Sequence, residues 1–269
     1  MNFKNKDIKE GKEVMLTFEI KTMSVPAEWF KDWFNSPYHD LLYSQGNEKE
    51  APAFINRLIS FLEPPAGSFF LESACGKGKH SQLLASYGYD VTGIDLSFNG
   101  IDEALLSASE TLHFFQHDLR LPFWINYFHY AFNFFTRFGY FKSDREHYNA
   151  IRTIANSLKS NGMFVLDYLN VHYVEENLVH KSDLDIDGIK FTLTNWYDET
   201  HIYRKIIVED GQWEQPLIYQ EKFAKFSLGD FNDMLSFHHL QIQQVFGDYQ
   251  FNHYDVKKSP RLILMAKKR

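Results

Sequence analysis

The chain has one cysteine, Cys75, which excludes an internal disulfide and a cysteine-rich zinc site and fits a reducing cytoplasm. It has no apolar run near the ~18 residues that a membrane helix needs, and MNFKNKDIKEGKEV lacks the hydrophobic core of a signal peptide. A cytoplasmic location with no membrane partner is therefore expected. Positive charge is not in excess: 28 Lys and Arg stand against 35 Asp and Glu, interspersed, for a net charge of -7, which argues against a nucleic-acid partner. His113 and His238-His239 have no acids or cysteines at ligand spacing, so no metal site is expected. Internal repeats and low-complexity tracts are absent.

Aromatic residues are abundant, 26 Phe and 15 Tyr in 269 residues, enough for a full core in one large domain or a domain with an insertion. The organising stretch is Phe69 to Ser97. Phe69-Phe70-Leu71 reads as a strand buried on both faces, and Glu72 closes it. Gly76 and Gly78 let the backbone turn and approach a ligand, and the following helix aims its free N–H groups at the same place. Val91 to Ile94 then forms a second strand with Asp95 at its carboxyl end, nineteen positions after Gly76, where a ribose-binding acid belongs.

Before this stretch, residues 1–24 read as a flexible extension with a possible strand at Val14 to Ile20. Residues 25–47 read as an aromatic helical cap, broken at Asn35-Ser36-Pro37, and Glu48 to Leu62 is an amphipathic helix. After it, the spacing predicts a helix from Phe98 to Ser107 and a strand from His113 to Gln116 near Asp118. A strand from Phe128 to Phe134 follows, then a helix from Asp144 to Leu158 and a strand from Met163 to Leu166. This β-α alternation implies a parallel sheet with right-handed crossovers. The pattern changes at Ile189–Tyr197, His201–Glu209 and Leu217–Phe226, three alternating runs joined by short turns, which read as an antiparallel insertion spanning 171–226. A helix from Phe231 to Phe237, capped by Ser227 to Asp230, and strands at Leu240–Phe246 and Leu262–Ala266 complete a core of 48–170 and 227–269.

The turn Gly76-Lys77-Gly78-Lys79-His80-Ser81 has Ser81 where a dinucleotide fingerprint has its third glycine. Acids stand at the ends of the first and second strands and after the third. That set suits a ligand with an amino-acid group, a ribose and an adenine but no pyrophosphate. Asp95 would accept from the ribose hydroxyls, Asp118 from the adenine amino group, and the glycine turn would lie along the methionine part of S-adenosylmethionine.

Glu72-Ser73-Ala74-Cys75-Gly76-Lys77-Gly78, Gly93-Ile94-Asp95-Leu96-Ser97, Gln116-His117-Asp118-Leu119, Asn133-Phe134-Phe135-Thr136 and Leu158-Lys159-Ser160-Asn161-Gly162 together resemble the motifs of class I S-adenosylmethionine-dependent methyltransferases. The resemblance implies an α/β, Rossmann-like seven-stranded sheet of order 3-2-1-4-5-7-6 flanked by helices, with a β insertion after the fifth strand as in small-molecule N-methyltransferases. It implies S-adenosyl-L-methionine as cofactor and a small-molecule substrate. The implied cofactor contacts are Tyr43, Glu72, Ala74, Cys75, Gly76, Gly78, Asp95, Leu96, Ser97, His117, Asp118, Leu119, Asn133, Phe134 and Phe135. Asn133 is not followed by Pro-Pro, which departs from the enzymes that methylate amino groups of DNA.

Methyl transfer from a sulfonium is an in-line displacement in which alignment contributes most, and a hydroxyl acceptor would also need a base. Tyr38, His39 and Tyr168 are the catalytic candidates, with Arg137 as a candidate anchor. Two other readings share the glycine turn: a nicotinamide-dependent oxidoreductase, which the missing third glycine and Asp118 disfavour, and a cofactor-binding protein without turnover. In the methyltransferase reading, specificity is expected in Trp29 to Tyr43 and in 171–226.

Overall fold

A computed structural model describes residues 29–44 and 47–269. The expected extension at 1–24, its strand at Val14 to Ile20 and the ends of the expected cap lie outside the described residues. Two short helices, α1 (Trp29–Phe34) and α2 (Pro37–Ser44), meet at the break set by Pro37, and α3 (Asn47–Leu62) leads to the sheet. The β-α alternation then supplies β1 (Phe69–Ser73), α4 (Lys79–Ser86), β2 (Asp90–Asp95), α5 (Phe98–Leu105), β3 (Leu112–Gln116), β4 (Phe128–Asn133), α6 (Asp144–Ser157) and β5 (Leu158–Leu169). A short α7 (Val171–Glu176) precedes the strands β6 (Lys181–Ile186), β7 (Ile189–Tyr197), β8 (His201–Glu209) and β9 (Leu217–Ala224). The chain ends with α8 (Leu228–Phe237), β10 (Leu240–Phe246) and β11 (Arg261–Lys268).

Seven strands form one sheet in the order β10-β11-β5-β4-β1-β2-β3. This is the expected 3-2-1-4-5-7-6 arrangement, with β1 to β5 mutually parallel and β11 antiparallel to both β5 and β10. The short apolar strands fit because both sheet faces are covered. Ile151 and Ile154 of α6 and Phe231, Met234 and Leu235 of α8 pack on one face, while Phe54, Ile55 and Leu58 of α3, Leu84 of α4 and Ile101 of α5 pack on the other. The fifth strand starts earlier than its sequence pattern indicated. Leu158 already pairs with Phe128, and the Asn161-Gly162 turn is an irregularity inside β5, with Asn161 at φ 63° and no space for a side chain at Gly162.

The remaining four strands form a second sheet, β6-β7-β8-β9, antiparallel throughout. Phe191 and Leu193 of β7 and Ile206 and Val208 of β8 alternate onto one face and pack against Trp29, Phe30, Trp33, Tyr38 and Leu42. The cap and the insertion therefore share a small core of their own, with Leu96 and Tyr140 of the main domain at its margin. β6 was not expected from the sequence, because in Lys181-Ser182-Asp183-Leu184-Asp185-Ile186 no residue is fully buried. It is held as a strand by its full ladder with β7.

Candidate active site

The carboxyl ends of β1, β2, β4 and β5 open into a cavity of about 980 Å³, roofed by α1, α2 and the inward face of β8 and β9. That is at the upper end of the ~300–1,000 Å³ usual for ligand sites and has room for two small molecules side by side. Opening where the strand order reverses, between β1 and β4, it occupies the crevice where open α/β sheets bind ligands.

The glycine turn forms the floor. Ala74, Gly76 and Gly78 have φ of 58°, 55° and 73°, a run of left-handed residues that folds the backbone back on itself. Gly78 and Gly93 are glycines for packing, since a Cβ at either would collide with Phe114. Gly76 lies in the cavity, and a Cβ there would sit 3.0 Å from Nη1 of Arg137. Asp95 steadies the turn: its Oδ2 accepts the Gly76 N–H at 2.7 Å and its Oδ1 the Ser97 N–H at 2.7 Å. A carboxylate offers about four acceptor positions, so two remain for hydroxyl donors from a ligand. Ser97 also caps α5 by accepting the Gly100 N–H and donates to Oδ1 of Asn35, which ties the turn to the cap.

Asp118 reaches the cavity already paired, its oxygens held in a fork by Arg120 at 2.6–3.2 Å. Burial acts to raise its pKa, but the Arg120 guanidinium outweighs this and holds the carboxyl below its ordinary range. His117 and Leu119 line the same wall, with Ile94 and Leu96 as apolar neighbours. Glu72 is buried and out of the cavity, accepting from Ser81 Oγ and lying 3.2 Å from His80 Nδ1. It anchors the start of α4 to β1. Cys75 lines the cavity as a thiol whose pKa burial pushes well up, which removes it as a nucleophile.

Asn133 and Phe134 are buried behind the wall, Asn133 Nδ2 donating to Ser73 Oγ at 3.0 Å, and only Phe135 of that trio reaches the cavity. Phe135 and Thr136 both adopt left-handed φ, 57° and 58°. Their N–H groups donate to Asp167, at 2.8 Å to Oδ2 and 3.0 Å to the backbone carbonyl. Asp167, fully buried, is gripped in turn by Arg261 at 2.6 and 2.8 Å. A buried ion pair thus fixes the loop that exits β4.

Of the catalytic candidates, only His39 lines the cavity, with Nδ1 3.3 Å from Asp40 Oδ1 and its ring among Trp33, Phe34 and Tyr43. Tyr38 is turned to the outer side of the cap, donating to Asp210 Oδ2 at 2.7 Å and accepting from Trp213 Nε1 at 2.9 Å. Tyr168 is fully buried, its hydroxyl donating to the Ala224 carbonyl at 2.6 Å and packed against Gly139. Neither tyrosine is placed to touch a reacting group in the cavity. Lys77 binds carboxylates, Asp40 at 2.9 Å and Glu103 at 2.5 Å, bridging α2 to α5. Burial raises the Asp40 pKa, but His39 and Lys77 overcome it and bring it down to about 2.

The structure adds a cluster that sequence reasoning missed. Glu221 of β9, 6% exposed, accepts from Trp33 Nε1 at 2.7 Å and from the Tyr43 hydroxyl at 2.7 and 2.8 Å. Arg204 of β8 donates to the Tyr43 oxygen at 2.6 Å and lies 3.6 Å from Glu221. Burial, with Glu221 adding to it against the pull of Arg204, raises the Tyr43 pKa far above its ordinary value and keeps it a neutral phenol. Tyr43, Arg204 and Glu221 all face the cavity, opposite the glycine turn, beside Tyr140 and Phe223. Among the described residues no group of three or more His, Cys, Asp or Glu could hold a metal ion, and no helix is long and apolar enough to cross a membrane.

The family model described as a methyltransferase domain matches residues 70–162. A curated relative, the S-adenosyl-L-methionine-dependent Diels-Alderase iccD of Talaromyces variabilis, is 39% identical over 54 residues, which span 20% of this chain and 18% of that protein. Solved structures extend the likeness to nearly the whole fold. An S-adenosylmethionine-dependent methyltransferase from Clostridium acetobutylicum superposes with a TM-score of 0.73 at 17% identity, over 86% of this chain and 96% of that one. The sugar N-methyltransferase KedS8 from a Streptoalloteichus species gives 0.65 at 17% identity, over 87% and 94%. The amino pentose methyltransferase CalS10 from Micromonospora echinaspora, solved with S-adenosylmethionine bound, gives 0.61 at 14% identity, over 100% and 99%.

Proposed function

We propose that this chain, whose residues 70–162 match a methyltransferase-domain model, binds S-adenosyl-L-methionine and a small-molecule acceptor in the cavity and transfers a methyl group between them. One observation carries this reading. The cavity has two chemically different sides, a glycine turn with Asp95 at the β1 and β2 ends, and an aromatic and charged roof supplied by the cap and the insertion.

The residues present fit the cofactor. Gly76 presents the turn without a side chain, under the Arg137 guanidinium, Asp95 keeps two acceptor positions for ribose hydroxyls, and Leu96 and Leu119 offer apolar surface to a base beside Asp118. When bound, the cofactor supplies a methyl group made electrophilic by a positively charged sulfur. The protein's contribution is then chiefly alignment, and the Asp167–Arg261 clamp on the Phe135–Thr136 loop gives the floor a fixed shape. The roof excludes water and faces the acceptor. His39 stands in it as a group able to accept the proton that a nitrogen or oxygen acceptor loses, and Tyr43, held by Glu221 and Arg204, is placed to orient that acceptor. The neighbour named a sugar N-methyltransferase favours nitrogen.

The test is calorimetry with S-adenosylmethionine and S-adenosylhomocysteine on the wild type and on Asp95→Asn. Binding to the wild type, weakened by about 1.5–3 kcal/mol in the variant, is the expected outcome. A wild-type protein that binds neither compound at millimolar concentration refutes the proposal.

A further inference from the structure

Besides Lys79, four Lys and Arg side chains line the cavity, and three of the four are committed. Lys77 bridges Asp40 and Glu103, Arg204 is bound to Tyr43, Asn195 and Glu221, and Arg261 is bound to Asp167 and Thr136. Arg137 is the fourth. Among the described residues no carboxylate lies within ion-pair distance of its guanidinium. Its backbone is nonetheless held by hydrogen bonds on both sides. It follows the two left-handed residues pinned by Asp167, and its own carbonyl accepts from Asn133 Nδ2 at 3.4 Å.

From this fixed base the side chain reaches across to the glycine turn, with Nη1 3.0 Å from where a Gly76 Cβ would be. The floor is therefore polarised. Asp95 places a negative charge under one end of the turn, and Arg137 places an unneutralised positive one over Gly76 itself. A half-buried guanidinium without an anion is an incomplete arrangement, since partial desolvation costs free energy that a bound anion would offset. Its planar fork matches a carboxylate with two parallel hydrogen bonds.

We infer that Arg137 holds the α-carboxylate at the amino-acid end of the methyl-donating cofactor. This rests on the proposed cofactor. Asp95 serves the ribose, the turn runs along the thioether chain, and the first cation beyond Gly76 receives the charge at the far end. The Asp167–Arg261 pair then acts indirectly on this contact, by fixing the loop from which Arg137 projects.

Three ligands and two variants test the assignment by calorimetry. S-adenosylhomocysteine carries the carboxylate, and 5′-methylthioadenosine has the same nucleoside and thioether but no amino-acid end. Arg137→Gln is expected to weaken S-adenosylhomocysteine about 10- to 100-fold, as loss of a charged hydrogen-bonded pair does, and to leave 5′-methylthioadenosine unchanged. Arg137→Lys, which keeps the charge but not the fork, is expected to fall between. Equal weakening of both ligands would mean a distorted cavity, and weakening of neither would mean that Arg137 serves another group; either result overturns the assignment. S-adenosylmethionine, as the third ligand, separates this from the parent reading: a wild type that binds none of the three fails the cofactor proposal itself.

Discussion

Glu221→Ala removes the acceptor at the junction of the cap and the insertion. Three donors lose it at once: Trp33 Nε1, the Tyr43 hydroxyl and Arg204. Hydrogen bonds to a charged group contribute about 1.5–3 kcal/mol each, and removing one partner of a buried ion pair costs about 3–5 kcal/mol. The ion-pair part is the smaller here, because Arg204 is 3.6 Å from Glu221 and keeps Asn195 at 2.7 Å. A local loss of about 3–5 kcal/mol follows. It is opposed by burial of Trp29, Phe30 and Trp33, about 1.5–3 kcal/mol apiece, so the cap opens more often without the domain unfolding. Hydrogen exchange measures this directly. Protected amides of α1, α2 and β9 should exchange at least about 100-fold faster, at 1.4 kcal/mol per factor of ten, while those of β1 to β5 keep their wild-type rates. Glu221→Gln, which retains the shape and one acceptor, should show roughly half the free-energy loss. Unchanged exchange in the cap, or acceleration spread equally over the sheet, would refute the role assigned to Glu221.

Two further perturbations address residues deeper in the fold. His147 is buried among Phe138, Phe141 and Phe226, and burial, opposed by the backbone at Gly139 and Ser143, pushes its pKa from 6.5 down to about 4. The unfolded chain therefore takes up the proton first, so this contribution is complete above about pH 6.5 and is lost as pH falls toward 4, by at most about 3 kcal/mol. His147→Leu should flatten the urea midpoint across that window, and an unchanged slope would contradict the assignment; Asp40 and Asp118, also held low, act at more acid pH. Tyr168→Phe deletes the hydrogen bond to Ala224 and should cost about 1 kcal/mol in thermal unfolding while leaving kcat unchanged. A collapse of kcat with intact cofactor binding would return Tyr168 to the reaction.

The parts legible in the sequence were those whose physics is local. A glycine turn between an apolar strand and a helix announces itself, because left-handed backbone and a close approach are demanded within a few residues. The strand order followed from family motifs at the strand ends. Glu221 and Arg204 were not legible in the same way, since their partners lie on α1 and α2, some 160–190 positions away. A signal was nevertheless present. On β8 the inward parity set by Ile202, Ile206 and Val208 also includes Arg204, whose ladder partners are Asn195 and Glu221. A charged residue on the buried parity of a strand, opposite an acid on its neighbour, marks a built polar cluster. Tyr38 and Tyr168 misled for the converse reason: proximity to strand ends and the cap is read easily from sequence, but the direction of a side chain is not.

The pairing of the cap with the insertion also bears on how the chain is made. Trp29, Phe30 and Trp33 leave the ribosome before the strands that cover them, β7 to β9, which are synthesised some 160 residues later. Throughout that interval β1 to β5 can begin to assemble while an aromatic cluster stays uncovered. The aromatic cluster is thus exposed to misassociation until the insertion is made, and the roof of the site cannot close before β7 to β9 have been synthesised.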